Sequence, residues 1–113
     1  AAEVERCLQS TEVAALFEPI AGANVWRERP FELVIDDEFC SGVFDRVHLL
    51  EDSAVIIDFK TDRVDADTID DAVKRHQPQL ELYRRVLARL TEIPETAITC
   101  QLVFTRPAKV MTA

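Results

Sequence analysis

Between residues 25 and 59, apolar and polar residues mostly take turns with the two-residue period of half-buried strands. Val25, Phe31, Leu33 and Ile35 stand among charged neighbours, which predicts a strand over 25–35. Pro30 lies inside it and has no N–H to give a ladder, so it points to an edge strand or a bulge. Asp36-Asp37-Glu38 reads as a polar turn. Phe39 to Leu50 follows as a second strand, with Val43, Asp45, Val47 and Leu49 on one parity and Phe44, Arg46, His48 and Leu50 on the other. After a short Glu51-Asp52-Ser53 turn, Ala54 to Phe59 forms a third strand. Its Val55-Ile56-Ile57 run does not alternate, as expected of a strand covered on both faces. Three strands joined by short turns predict an antiparallel meander.

The period becomes helical on either side of the meander. Val4, Cys7, Leu8, Val13, Leu16 and Phe17 give an approximate stripe over 3–18, ended by Pro19 and Gly22. A second helix is predicted over 67–91, with Leu80, Tyr83, Leu87 and Leu90 along one face. Pro78 falls inside it and is expected to kink it or restart it. After a loop around Pro94, Ala97 to Thr105 reads as a last strand, in which Ile98, Cys100, Leu102 and Phe104 alternate with polar partners. The order α-β-β-β-α-β, with a helical crossover before the final strand, predicts an α/β fold: a mixed β-sheet flanked by helices.

Composition narrows the setting. The 113 residues fit one domain, 1–113, and 48% of them are apolar, enough for a modest core. No apolar run approaches the roughly 18 residues of a membrane span, and the first residues do not resemble a secretory signal. A cytoplasmic protein without membrane partners is expected. The chain begins on Ala1 rather than Met, and we expect it to be a segment of something longer. Cys7, Cys40 and Cys100 have no metal-ligand spacing and read as reduced thiols. The net charge of −8 argues against a grip on nucleic acid by bulk electrostatics. It is compatible with a site that gathers carboxylates around cations.

Asp45, Asp58 and Lys60 are the residues with chemical interest. Asp45 lies mid-strand, and Asp58 and Lys60 end the most apolar strand, where charge is costly unless it is paired or holds metal. Asp58 and Lys60 share a strand face, and the hairpin can bring Asp45 alongside. Two neighbouring carboxylates repel, and a hard divalent cation resolves that repulsion. By spacing alone, structural ion pairs at a solvated strand end explain the same residues, because Asp-x-Lys is short and recurs by chance.

The wider pattern changes that balance. Gly42-Val43-Phe44-Asp45-Arg46-Val47, then Ile56-Ile57-Asp58-Phe59-Lys60-Thr61, then Gln79-Leu80-Glu81-Leu82-Tyr83 resembles the RecB/AddA-type nuclease domains of the PD-(D/E)xK superfamily, over residues 26–105. The resemblance implies the restriction-endonuclease-like fold and Mg2+-dependent hydrolysis of DNA, with Mn2+ as a substitute. It implies Asp45 and Asp58 as metal ligands, the Phe59 backbone carbonyl as a further ligand, and Lys60 as the catalytic lysine. Glu28 matches a first-strand glutamate and joins the catalytic candidates, through water-mediated metal binding or support of the site. Gln79 and Tyr83 match helix residues that contact DNA or buttress the lysine, and His76 and Arg46 join them as DNA-binding or supporting candidates. The implied partners are single strands of unwound DNA, helicase domains of the same polypeptide, and a second polypeptide of a helicase–nuclease complex.

The sequence also departs from the family. Phe44 precedes Asp45 where the superfamily has Pro, and His76 stands where a Tyr is usual. The family has a metal-site histidine on an upstream helix, and residues 1–18 contain no His, so either the chain starts after that helix or the histidine is missing. The four-cysteine iron–sulfur pattern of some relatives is missing too. Two other readings therefore stand beside a DNA nuclease in a helicase–nuclease. One is a catalytically silent nuclease-fold module for DNA guidance or for assembly of a complex. The other is a stand-alone restriction or junction-resolving enzyme. Among remaining residues, His48 reads as a surface or second-face residue and Trp26 as core or strand edge. Asp62, Asp65, Asp67, Asp70 and Asp71 read as a solvated face. Lys74, Arg75, Arg84, Arg85 and Arg89 form a candidate DNA-facing stripe on the long helix, or an exposed face with i,i+4 pairs.

Overall fold

The computed structural model describes residues 11–16, 22–106 and 108–113. Helix α1 (Thr11–Leu16) precedes strands β1 (Asn24–Ile35), β2 (Glu38–Leu49) and β3 (Ala54–Lys60). Helix α2 (Ile69–Thr91), a 3-10 turn (Glu95–Ala97) and strands β4 (Ile98–Phe104) and β5 (Lys109–Thr112) follow. The rest of the helix expected over 3–18 lies outside the described residues, as do Cys7 and Pro19.

The meander forms as expected. The two-residue β1–β2 turn, Asp36-Asp37, has φ of 51° and 66°, and a double left-handed turn matches the right-handed twist of the strands it joins. The sheet order is β1-β2-β3-β4-β5. Every neighbouring pair is antiparallel except β3 and β4, which run parallel and so need the α2 crossover. β1 is an edge strand, which accommodates Pro30 opposite Val43.

Two layers of side chains explain the uninterrupted Val55-Ile56-Ile57 run. On one face Ile56 packs with Phe31, Phe44, Val47, Leu102 and Phe104 under Leu80, Tyr83, Val86 and Leu87 of α2. On the other, Ile57 and Val103 pack against Val13 of α1, with Val55, Phe59 and Val110 around them. Phe44, Phe104, Ile56 and Ile57 are fully buried, and each such side chain contributes about 1.5–3 kcal/mol of transfer free energy.

Several local expectations need correction. β5 goes beyond the expected elements, since four residues with adjacent Val110 and Met111 carry no visible period; the open edge of β4 recruits them. Pro78 does not restart α2, which is one helix of 23 residues. Tertiary packing on both sides of Pro78 (Ala72 before it, Leu80 to Leu87 after it) outweighs the lost backbone bond. Leu90 is 48% exposed in the last turn, and Val86 takes its place in the core. His48 is buried and accepts a hydrogen bond from Arg46 Nε at 2.9 Å. Arg84 leaves the basic stripe: it donates to the carbonyls of Ile98 and Ala113 at 3.0 and 3.1 Å, tying α2 to β4 and the chain end. Cys40 and Cys100 are free and buried. No helix among the described residues is long and apolar enough to cross a membrane.

Candidate active site

The site begins where β2 and β3 stop pairing. Their ladder runs from Leu49↔Ala54 to Arg46↔Ile57 and ends there. One step further the register sets Asp45 opposite Asp58, and a side chain takes over from the backbone: Asp45 Oδ2 accepts the Phe59 N–H at 2.9 Å. β3 keeps its other neighbour, β4, as far as Lys60↔Phe104. Asp58, Phe59 and Lys60 therefore sit on a strand end whose backbone ladder runs along one edge only.

Alternation along β3 sends Ile56, Asp58 and Lys60 toward α2, and Ile57 and Phe59 toward α1. Asp58 is 4% exposed. Lys60 Nζ lies 2.8 Å from Asp58 Oδ2 and donates to Gln79 Oε1 at 2.7 Å. Gln79 Nε2 in turn donates to the Tyr83 hydroxyl at 3.1 Å, one helical turn on. Tyr83 is held by edge contacts to Phe31 and Phe44, with ring centroids 5.5 Å away in each case. Gly42 makes this packing possible: a Cβ there would meet Phe31 Cζ at 2.8 Å and Tyr83 Cε1 at 3.5 Å. The glycine three positions before Asp45 thus controls the aromatic wall behind the lysine.

The electrostatics mark a strained pair of acids. The Asp45 carboxyl is raised from 3.8 to about 6, chiefly by burial and by sharing a hydrogen bond with Asp58, against the opposing pull of the Phe59 N–H. Burial, then the Asp58 charge, raises the Tyr83 hydroxyl. Asp58 Oδ2 is buried with no hydrogen bond aligned on it, so its contact with Lys60 is ionic only. A buried, incompletely satisfied carboxylate oxygen beside a second carboxylate fits a hard divalent cation.

Asp45, Asp58, Lys60, Gln79 and Tyr83 come together in space. The other candidates are more dispersed. Glu28 falls opposite Asp45, between Arg27↔Arg46 and Arg29↔Phe44, but its φ of 45° takes it out of the ladder and its side chain is exposed. Among the described residues no group of three or more His, Cys, Asp or Glu converges on one point. Arg46, paired with Ile57, lies on the α1 face with His48 rather than beside the carboxylates. Burial, then the nearby Arg27 charge, lowers its guanidinium from the ordinary value. Trp26 packs against the core at the strand edge, with the Arg29 guanidinium 4.4 Å from its ring centroid.

His76 does reach the site's border, through Asp62, which is not on the solvated face expected of it. His76 Nε2 lies 3.0 and 3.2 Å from the two carboxylate oxygens of Asp62, which also accepts from Arg75 Nη2 at 3.1 Å. Burial works against ionising Asp62, but the hydrogen bonds from His76 and Arg75 outweigh it and hold the carboxyl below its ordinary value. Asp62 lies two residues beyond the end of β3, where strand parity no longer applies, and only its contacts with α2 reveal it.

The architecture is the restriction-endonuclease-like α/β fold. The model of the PD-(D/E)XK nuclease superfamily matches residues 2–112, and this chain belongs to that superfamily. It is similar to the AddA-type polypeptide of the ATP-dependent helicase/nuclease of Carboxydothermus hydrogenoformans, 30% identical over 108 residues, covering 79% of this chain and 9% of that protein. The corresponding protein from Streptococcus pyogenes serotype M3 is 32% identical over 79 residues, covering 65% of this chain and 6% of its own length. The chain thus spans less than a tenth of the relatives it matches. Nucleases of this superfamily generally use divalent metal ions.

Proposed function

We propose that this chain is the Mg2+-dependent DNA nuclease domain of an ATP-dependent helicase–nuclease that acts in the cytoplasm in double-strand-break repair and recombination. The observation that carries the proposal is the Asp45–Asp58 pair, with Lys60 2.8 Å from a buried Asp58 oxygen that no hydrogen bond satisfies. Asp45, Asp58 and the Phe59 carbonyl would hold Mg2+, or Mn2+ in its place. The cation supplies Lewis acidity toward a phosphate oxygen and makes a nucleophile available from water at neutral pH. The chain's own residues do the rest. Asp45 must be ionised to act as a ligand, so with its pKa raised to about 6 it gives up a proton as the cation binds only below about that pH. Lys60 has its ammonium fixed by Gln79, ready to stabilise negative charge growing at phosphorus or to orient the attacking water. Tyr83 fixes Gln79 in turn.

The acidic net charge leaves most of the DNA grip to other domains of the same polypeptide or to a second polypeptide bound to it. A motor feeding single strands into this site makes exonucleolytic digestion the expected mode. The test is degradation of DNA by the full-length protein with and without Mg2+. Cleavage should be lost in Asp45→Ala, Asp58→Ala and Lys60→Ala; undiminished cleavage by Asp58→Ala refutes the assignment.

Two observations favour a second reading, a catalytically silent module for DNA guidance or assembly. Glu28 is exposed and out of the ladder, and the described residues supply only two acidic side chains to the site. Failure of the full-length protein to bind Mn2+ would select that reading.

A further inference from the structure

We infer that Asp62, clamped by His76 and Arg75, is a positioning residue that fixes the strand end carrying Lys60 against α2. The inference rests on the nuclease reading above and adds a residue to it.

Lys60 sits on unusually weak support for a residue whose job is geometric. The β2 ladder stops at Ile57, and after Lys60 the chain leaves the sheet for an irregular stretch that lasts until α2. Toward β4, the Lys60 carbonyl accepts from Thr105 N at 2.9 Å and Thr105 Oγ1 at 3.3 Å, and the Thr61 carbonyl accepts from Arg106 Nε at 3.0 Å. These bonds hold the backbone along one edge. They do not set its distance from α2.

Core packing of Ile56 under α2 sets the spacing further back along β3, and two polar rungs carry it to the strand end. The side chains of Lys60 and Asp62 both reach α2, and their partners Gln79 and His76 lie one turn apart on it. The first rung is Lys60 to Gln79, a single 2.7 Å bond between two long side chains with many rotatable bonds. The second is Asp62 to His76 at 3.0 Å, between a short side chain and a ring, braced by Arg75 at 3.1 Å. The stiffer rung is the one that limits how far Lys60 drifts. A displacement of about 1 Å at such a group costs on the order of a hundredfold in rate.

The experiment measures DNA cleavage by the full-length protein at saturating Mg2+, as kcat and KM separately, for His76→Phe, Asp62→Ala and His76→Gln. Asp58→Ala is the control for the underlying reading. We expect kcat to fall about 10- to 100-fold in His76→Phe and Asp62→Ala, with KM within about twofold of wild type. His76→Gln, which keeps a donor, should recover most of the loss. Amide exchange at Thr105, whose N–H bonds the Lys60 carbonyl, should quicken in both damaging variants. If Asp62→Ala unfolds, His76→Phe keeps the ring volume and decides the matter alone. An unchanged kcat in folded His76→Phe overturns the inference, as does a raised KM with intact kcat, which would make the pair a DNA contact. Cleavage that survives Asp58→Ala overturns the nuclease reading itself, and this inference with it.

Discussion

Replacing Asp45 by Asn should make the metal-free chain more stable at neutral pH while abolishing its activity. Asp45 titrates at about 6 in the fold, against an ordinary 3.8. Between those values the native state keeps a proton that the unfolded chain has released. Stability therefore falls as pH rises from 3.8 to about 6, and the deficit persists above it. At about 1.4 kcal/mol per pKa unit the whole shift would be worth about 3 kcal/mol. Asp45 is only partly buried, so solvent screening reduces this to about 1–2 kcal/mol. Asn carries no charge to repel Asp58, and its carbonyl can still accept the Phe59 N–H. Urea unfolding in chelator should show Asp45→Asn about 1–2 kcal/mol more stable than wild type at pH 7.5, with the advantage gone near pH 4. A variant that is less stable at pH 7.5, or equally favoured at both pH values, refutes the electrostatic account of the pair.

Other consequences can be checked separately. Gly42→Ala drives a methyl into Phe31 at 2.8 Å and should cost about 1–3 kcal/mol in urea unfolding, with a lower kcat because Tyr83 moves. Tyr83→Phe removes only the acceptor for Gln79 and should lower kcat several-fold in steady-state cleavage with little change in melting temperature. Arg84→Ala deletes the bonds to the Ile98 and Ala113 carbonyls and should destabilise by about 1–3 kcal/mol; a DNA-affinity loss without destabilisation would return Arg84 to the basic stripe.

How much of the fold and site is legible in the chain depends on whether the cause is local. The three-strand meander is readable because each strand's burial pattern is written in its own residues, from Phe31-Leu33-Ile35 to Val55-Ile56-Ile57. β5 is not, because its four residues become a strand only when β4 offers an edge. Parity alone places Asp58 and Lys60 on one face. The coupling of Lys60 to Gln79 and Tyr83 rests on family resemblance in the sequence, and only the fold gives it a geometry. Asp62 resembles one more acid in a solvated loop, since its partners Arg75 and His76 lie beyond that loop on α2. Glu28 matches a motif by position, while its left-handed backbone, which carries it out of the ladder, is visible only in the fold.

The most direct test of the carboxylate pair is calorimetric titration of Mn2+ into the full-length protein between pH 5 and 8, in buffers of differing ionisation heat. Asp45 must lose its proton to become a ligand, so binding should tighten as pH rises through about 6, with proton release below that value. It should vanish in Asp58→Ala. Binding that is absent in wild type, or that is indifferent to both pH and Asp58, contradicts the claim that this pair is the cation site of a nuclease.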